Sequence, residues 1–201
     1  MRIVTAEFKK SLVEGYAEYN ADLPEIALVG RSNVGKSSLI NFLTDQTKLA
    51  KVSKNPGKTK LVNYFLLNGT WYLVDLPGYG YANVSKQEQE LWDARMGGYF
   101  EQSKMLKAVL ILIDIRREPS PHDIAMMEYA NYYGIPYVII ATKADKIAKS
   151  KRKNACAHMC RILQKYGCRE ILPISAESDI GKEELLALME KLCFGERENQ
   201  E

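Results

Sequence analysis

Short apolar runs separated by polar, helix-length stretches recur along this chain. Ile26–Val29, Ala108–Ile113, Tyr137–Ala141 and Ile171–Ile174 have almost no polar member, as in strands covered on both faces of a parallel sheet. Leu61–Leu67 and Trp71–Val74 are rich in strand formers, and Asn68-Gly69 between them is a strong hairpin signal, so these two strands are expected to be antiparallel neighbours. Helical patterns fill the intervals. One follows Ser38 and ends near Thr44. A second runs from about Lys86 to Glu101 with Leu91, Trp92 and Met96 as apolar positions. Pro121 opens a third, through Tyr132, in the favoured first-turn place. Residues 150–166 read as a basic helix and Lys182–Cys193 as the last one. Strands alternating with helices predict an α/β fold with right-handed crossovers and a ligand at the carboxyl ends of the strands. Residues 1–24 are expected to pack on the main domain, either as a short edge element or across the sheet. One domain covers 25–195, and 196–201 reads as a disordered tail.

Composition narrows the class without deciding it. The 201 residues are 46% hydrophobic and 26% charged, which suits one globular domain with a sizeable core. A formal charge of +3 is too small to indicate a nucleic-acid protein by itself. No segment is long and apolar enough to span a membrane, and Met1–Glu7 carries an early acid and no apolar stretch, so a cytoplasmic location without a membrane partner is expected. Cys156, Cys160, Cys168 and Cys193 all lie late in the chain. Cys156 and Cys160 bracket His158, but their spacing matches no common zinc finger, and reduced structural thiols are expected.

Gly30-Arg31-Ser32-Asn33-Val34-Gly35-Lys36-Ser37 changes the picture most. It fits G-x-x-x-x-G-K-[ST] at every fixed position, and a strand precedes it and a helix follows it. Its glycines let the backbone wrap an anion, and the positive end of the helix beginning near Ser38 adds to the attraction. Lys36 supplies a point charge for the outer phosphates and Ser37 a hydroxyl for magnesium. In Asp75-Leu76-Pro77-Gly78-Tyr79-Gly80-Tyr81 the carboxylate of Asp75, at a strand end, can hold the magnesium shell, and the Gly78 amide can meet the terminal phosphate. Residues 45–60 form a loop carrying Lys48, Lys51, Lys54, Lys58 and Lys60, with no acid between Gln46 and Val74. It is either a solvated loop or a phosphate-facing surface. Thr59 in this loop is a candidate for a second hydroxyl on magnesium.

Thr142-Lys143-Ala144-Asp145 follows another strand. Guanine offers two donors on one edge, the ring N1–H and the exocyclic amino group, and a carboxylate accepts both. Adenine presents an acceptor at N1 and would be repelled. Asp145 therefore selects guanine, the stem of Lys143 lies against the base plane, and Ser175-Ala176-Glu177 can present backbone amides to the base oxygen.

In order and spacing these stretches resemble the five motifs of the small GTPase fold over about residues 25–194. More narrowly, Gly30–Ser38, Pro56-Gly57-Lys58-Thr59, Asp75–Ala82 and Glu118-Pro119-Ser120-Pro121-His122-Asp123 are similar to the EngB (YihA/YsxC) family. The resemblance implies a P-loop, Ras-like fold, with a mostly parallel six-stranded sheet, one antiparallel strand and helices on both faces. It implies GTP and GDP as ligands, magnesium on Ser37, Thr59 and Asp75, and catalytic parts for Lys36, Thr59 and Gly78. It also implies a monomer acting in assembly of the large ribosomal subunit, in contact with rRNA and ribosomal proteins, with an associated role in septation. Signalling GTPases carry a water-orienting glutamine where Tyr79 stands, so slow intrinsic hydrolysis is expected. Related GTPases with asparagine at the place of Asn33 bind potassium, which makes Asn33 a candidate for a monovalent cation. A nucleotide kinase would need an acceptor site and an arginine-bearing lid, and the sequence offers neither. A binding module that the nucleotide only shapes is the competing reading.

Overall fold

The computed structural model describes residues 1–12, 22–51, 61–80 and 86–195. Seven strands form one sheet: β1 (Ala6–Leu12), β2 (Glu25–Gly30), β3 (Val62–Leu67), β4 (Trp71–Asp75), β5 (Leu106–Asp114), β6 (Tyr137–Thr142) and β7 (Ile171–Pro173), in the order β1-β3-β4-β2-β5-β6-β7. Five helices flank it: α1 (Lys36–Thr44), α2 (Lys86–Gln102), α3 (Pro121–Tyr132), α4 (Lys149–Leu163) and α5 (Lys182–Phe194). The α/β class and the β3–β4 hairpin are as expected, with Leu67 opposite Trp71 across Asn68-Gly69-Thr70. The sheet has one strand more than the six anticipated, because β1 pairs antiparallel with β3 at the edge. Its side chains are mostly exposed, so its hydrophobic pattern is weak and only the pairing reveals it.

The apolar runs sort by parity, as the pleat requires. Ala27 and Val29 of β2 join Val109, Ile111 and Ile113 of β5 in the layer beneath α2, α3 and α4. Ile26, Leu28, Leu110 and Leu112 point to the opposite face and pack with Leu39, Leu43, Leu185 and Met189 of α1 and α5. Central strands covered on both faces have no solvent side, which is why their runs lack polar residues. Glu25, buried at the start of β2, is one exception, and it accepts hydrogen bonds from Tyr99 Oη (2.9 Å) and Ser103 Oγ (2.8 Å).

The helix expected over 150–166 divides. α4 stops at Leu163 and a single 3-10 turn, Gln164–Tyr166, follows, closed by Gly167 at φ 99°. For the site, the decisive feature is that β2 lies between β4 and β5, parallel to both. The chain leaves β2 at the point where the connections diverge to either side, and a crevice opens there.

Candidate functional site

The loop after β2 is built by close approach. A Cβ on Gly30 would stand 2.7 Å from the Leu112 carbonyl oxygen and 2.9 Å from Val34 Cγ1, so only glycine lets β2 and β5 meet there. Asn33 (φ 60°) and Gly35 (φ 114°) take the left-handed turns that bring the chain round to α1. Arg31 O accepts from Val34 N at 3.1 Å, and α1 begins at Lys36 with no acid in its first turn. Its positive end is therefore uncompensated where Lys36, Ser37 and Ser38 face the mouth.

Asp75 ends β4 beside this loop and is buried. Its Oδ1 lies 3.9 Å from Lys36 Nζ, which is attraction without a hydrogen bond, and among the described residues this oxygen has no hydrogen-bond partner. Burial pushes the Asp75 carboxyl above its ordinary value, while Lys36 and a hydrogen bond from Asn63 pull the other way. A buried, unpartnered carboxylate oxygen near a helix-borne serine is a donor set that suits a hard divalent cation.

The chain after Asp75 lies against the phosphate loop. Leu76 N donates to Leu28 O (3.0 Å), and Pro77 O accepts from Trp92 Nε1 (3.3 Å). A Cβ on Gly78 would stand 3.2 Å from Gly30 O, 3.2 Å from Lys36 Nζ and 3.3 Å from Ser32 N. Gly78, Lys36 and the phosphate loop thus converge on one small volume. Tyr79 does not join them. Its side chain is 2% exposed, and its hydroxyl donates to Asp123 Oδ1 at 2.7 Å. Gly57, Lys58 and Thr59 lie outside the described residues, as do Lys54, Lys60, Tyr81, Ala82 and the tail 196–201.

The expected base-reading residues are brought together. Thr142 Oγ1 donates to Val34 O (2.8 Å), and Lys143 Nζ donates to Asn33 O (2.9 Å). Ala144 N donates to Ile174 O (3.0 Å), which ties this loop to the one after β7. Asp145 Oδ1 accepts from Ser175 Oγ (2.6 Å), and Oδ2 pairs with Lys146 Nζ (2.8 Å); both partners hold its carboxyl below the ordinary value. Ser175 Oγ also accepts from Glu177 N (3.1 Å) and Ser178 N (3.2 Å). Ala176 N is then the amide of that tripeptide left to face a base oxygen. The resulting pocket, about 150 Å³, has Gly35, Ser38 and Leu39 on one side and Lys143, Asp145 and Ala176 on the other. Its mixed walls suit a planar heterocycle with a polar edge.

Sequence reasoning missed two supporting residues. Asp114 ends β5 as Asp75 ends β4, and that parallel was a usable signal. Its carboxylate takes Arg116 Nε (2.9 Å) and Nη2 (2.7 Å) and lies 3.1 Å from Lys143 Nζ. Burial alone would raise Asp114, but the Arg116 and Lys143 contacts outweigh it and hold the carboxyl well below the usual range. Arg152 of α4 donates from Nε to Ala144 O (2.8 Å), bracing the base loop from behind. Among the described residues no cluster of three or more ligating side chains suits a metal, so the cysteines and His158 form no such centre there. The four cysteines are free thiols.

The chain is similar to known GTP-binding proteins. A family model described as a 50S ribosome-binding GTPase matches residues 25–143. A probable GTP-binding protein EngB of Pelotomaculum thermopropionicum is 44% identical over 190 residues, covering 94% of this chain and 96% of that protein. Another, from Heliobacterium modesticaldum, is 44% identical over 204 residues, covering 100% of this chain and 98% of that protein. Among solved structures, a probable GTP-binding protein EngB superposes with a TM-score of 0.66 at 23% identity, over 84% of this chain and 98% of that one. Era of Aquifex aeolicus, solved with GDP and aluminium fluoride, gives 0.67 at 25% identity, over 86% of this chain and 57% of that one.

The pocket's edge chemistry is open to a direct test. Asp145→Asn replaces one acceptor with a donor, which matches the carbonyl that xanthine carries in place of guanine's amino group. Binding of GDP, followed by fluorescent-nucleotide titration, should weaken by about 100-fold or more, and xanthosine diphosphate should become the better ligand. Unchanged GDP affinity would remove Asp145 from the base site.

Proposed function

This chain belongs to the EngB family of GTP-binding proteins, and from that membership we propose that it hydrolyses GTP as a switch in assembly of the large ribosomal subunit. The observation that carries the reading is the meeting of a phosphate cradle (Gly30–Ser38) with a guanine-shaped edge (Asp145) in one crevice. The family model's description as ribosome-binding supports the choice of partner. An associated role in septation rests on family membership alone. A monomer in the cytoplasm fits the reading, and among the described residues no helix is long and apolar enough to cross a membrane.

In this proposal the phosphates lie along the Gly30–Ser38 backbone, with Lys36 opposite the outer two. Ser37 and Asp75, with Thr59 as the proposed third, would hold magnesium, which would supply positive charge to the phosphates. The unpartnered Oδ1 of Asp75 supports its part. Gly78 offers its amide to the terminal phosphate, with Leu76 and Pro77 fixing its approach. GTP is proposed to order the chain around Gly78, and hydrolysis to loosen it. Asn33, exposed at the crown of the loop, is the proposed contact for potassium. Equal hydrolysis rates in sodium and potassium, with large subunits present, would sink that assignment.

α4 is the proposed RNA contact. It has no acidic residue, and Lys149, Lys151, Lys153 and Arg161 on it, with Lys165 just beyond, are exposed. Arg152, on the same helix, donates to Ala144 O and serves the base loop instead. Lys48 and Lys51 are exposed in the stretch that follows α1.

A second reading, a nucleotide-dependent binding module with negligible intrinsic hydrolysis, is favoured by one observation. The side chain in the place of the water-orienting glutamine is turned into the core. Multiple-turnover phosphate release, with and without large subunits, separates the two readings.

Co-sedimentation with purified subunits tests the partner. The chain should pellet with large subunits in a non-hydrolysable GTP analogue and largely stay in solution with GDP, and its affinity should fall steeply between about 50 and 200 mM salt. Equal recovery in both nucleotides, or a flat salt response, contradicts the switch. The magnesium site is tested by Asp75→Asn. The raised folded-state value of Asp75 means that its charge costs stability, a cost that develops as pH rises from the ordinary value of 3.8 through the raised one. Asp75→Asn should therefore raise the melting temperature without nucleotide at pH 7, and should remove the further rise that magnesium gives the GDP complex. A lower melting temperature without nucleotide, or an intact magnesium effect, would count against this site.

A further inference from the structure

We propose that Tyr79 is a positioning residue, whose buried hydroxyl fastens the Gly78 loop to α3 and so holds the Gly78 amide ready for a terminal phosphate. This rests on the reading of the site as a GTP site.

Gly78 is held from both neighbours. On the preceding side, Pro77 O accepts from Trp92 Nε1 of α2 at 3.3 Å. On the following side, Tyr79 N donates to Gly30 O (3.3 Å) and Tyr79 O accepts from Ser32 N (3.1 Å). These two backbone bonds continue the parallel β2–β4 pairing past the strand ends, onto the phosphate loop itself. Both bonds run to the phosphate loop, the segment that the ligand itself would contact. The side chain supplies an anchor that the phosphate loop does not share. The Tyr79 ring meets Trp92 edge-on (centroids 5.8 Å, 83°) and stacks on His122 (6.1 Å, 15°), and its hydroxyl reaches Asp123 Oδ1.

Asp123 shows that this contact is more than filling. It is the third residue of a capping box at the start of α3, where Oδ2 accepts from Ser120 N (2.7 Å) and Ser120 Oγ (2.6 Å). Such a box works equally well with an acid in solvent. Here the carboxylate is 1% exposed, and the phenol is the donor that meets its other oxygen. Behind it, Met126, Met127 and Ala130 bury α3 in the core, so the anchor is rigid. A loop fixed in advance loses little freedom when the phosphate arrives, and that advantage reaches only a ligand that touches Gly78. GDP does not, which makes it the internal control.

The test is a titration of the full chain and of Tyr79→Phe with GDP and with a non-hydrolysable GTP analogue, both with magnesium. Tyr79→Phe should weaken the analogue by about three- to tenfold, part of the worth of a hydrogen bond to a charged group. GDP affinity should stay within about twofold. Asp123→Asn keeps an acceptor for the phenol while disturbing the box, so it should lower the melting temperature and leave the ratio of the two affinities unchanged. Equal weakening of both nucleotides by Tyr79→Phe, no weakening of either, or a ratio that moves as much in Asp123→Asn, overturns the proposal. If Tyr79→Phe does not fold, hydrogen exchange on the unaltered chain decides. Residues 118–126 should exchange more slowly with the analogue than with GDP, and identical protection overturns the proposal. Failure of the underlying GTP reading looks different, because the unaltered chain would then bind neither nucleotide.

Discussion

Two hydrogen bonds set the dimensions of the site. The Thr142 hydroxyl and the Lys143 ammonium each donate to a carbonyl of the phosphate loop, on Val34 and Asn33. A nucleotide must satisfy a base reader and a phosphate cradle at once, and these bonds fix the distance between them before any ligand arrives. An error of about 1 Å in such a placement can cost roughly 100-fold in rate, so fastening one loop to the other matters more than any single contact to the ligand. Much of the neighbouring structure serves that fastening. Asp114 steadies Lys143, Ala144 is held by Ile174 in front and Arg152 behind, and Ser175 orders its own loop while meeting Asp145.

The same crevice concentrates arrangements that cost stability. Asp75 is a carboxylate in the interior with one oxygen unpartnered among the described residues. Asn33 and Lys143 take left-handed backbone conformations, which ordinary side chains seldom adopt. Elsewhere the interior is conventional, with two apolar layers on a sheet whose central strands are fully covered. The core supports local features that would otherwise relax, and those features lie where a phosphate chain and its cation would relieve them.

The parts legible in the sequence were those with a fixed period or a fixed spacing. Buried strands are apolar runs, Asn68-Gly69 can hardly be anything other than a hairpin turn, and the phosphate loop must carry glycine where β2 meets Leu112. Asp145 was expected at a base edge from its chemistry, and it lines the pocket with Lys143 and Ala176. What escaped depends on neighbours distant in sequence. β1 is mostly exposed and is defined by its pairing with β3, so no pattern of its own announces it. Tyr79 sits where a catalytic side chain is expected, and its direction is set by Asp123, 44 positions away. Arg152 looked like one more cation on a basic helix until Ala144 claimed it.

The account stands on one claim, that the fastened pair of loops reads guanine and phosphate together. Calorimetric titration of the chain with GDP and with ADP, in magnesium, tests it most directly. A carboxylate that accepts from two base donors should favour GDP by at least about a thousandfold. Comparable affinity for the two diphosphates would leave a phosphate cradle with no base reader and would contradict the claim.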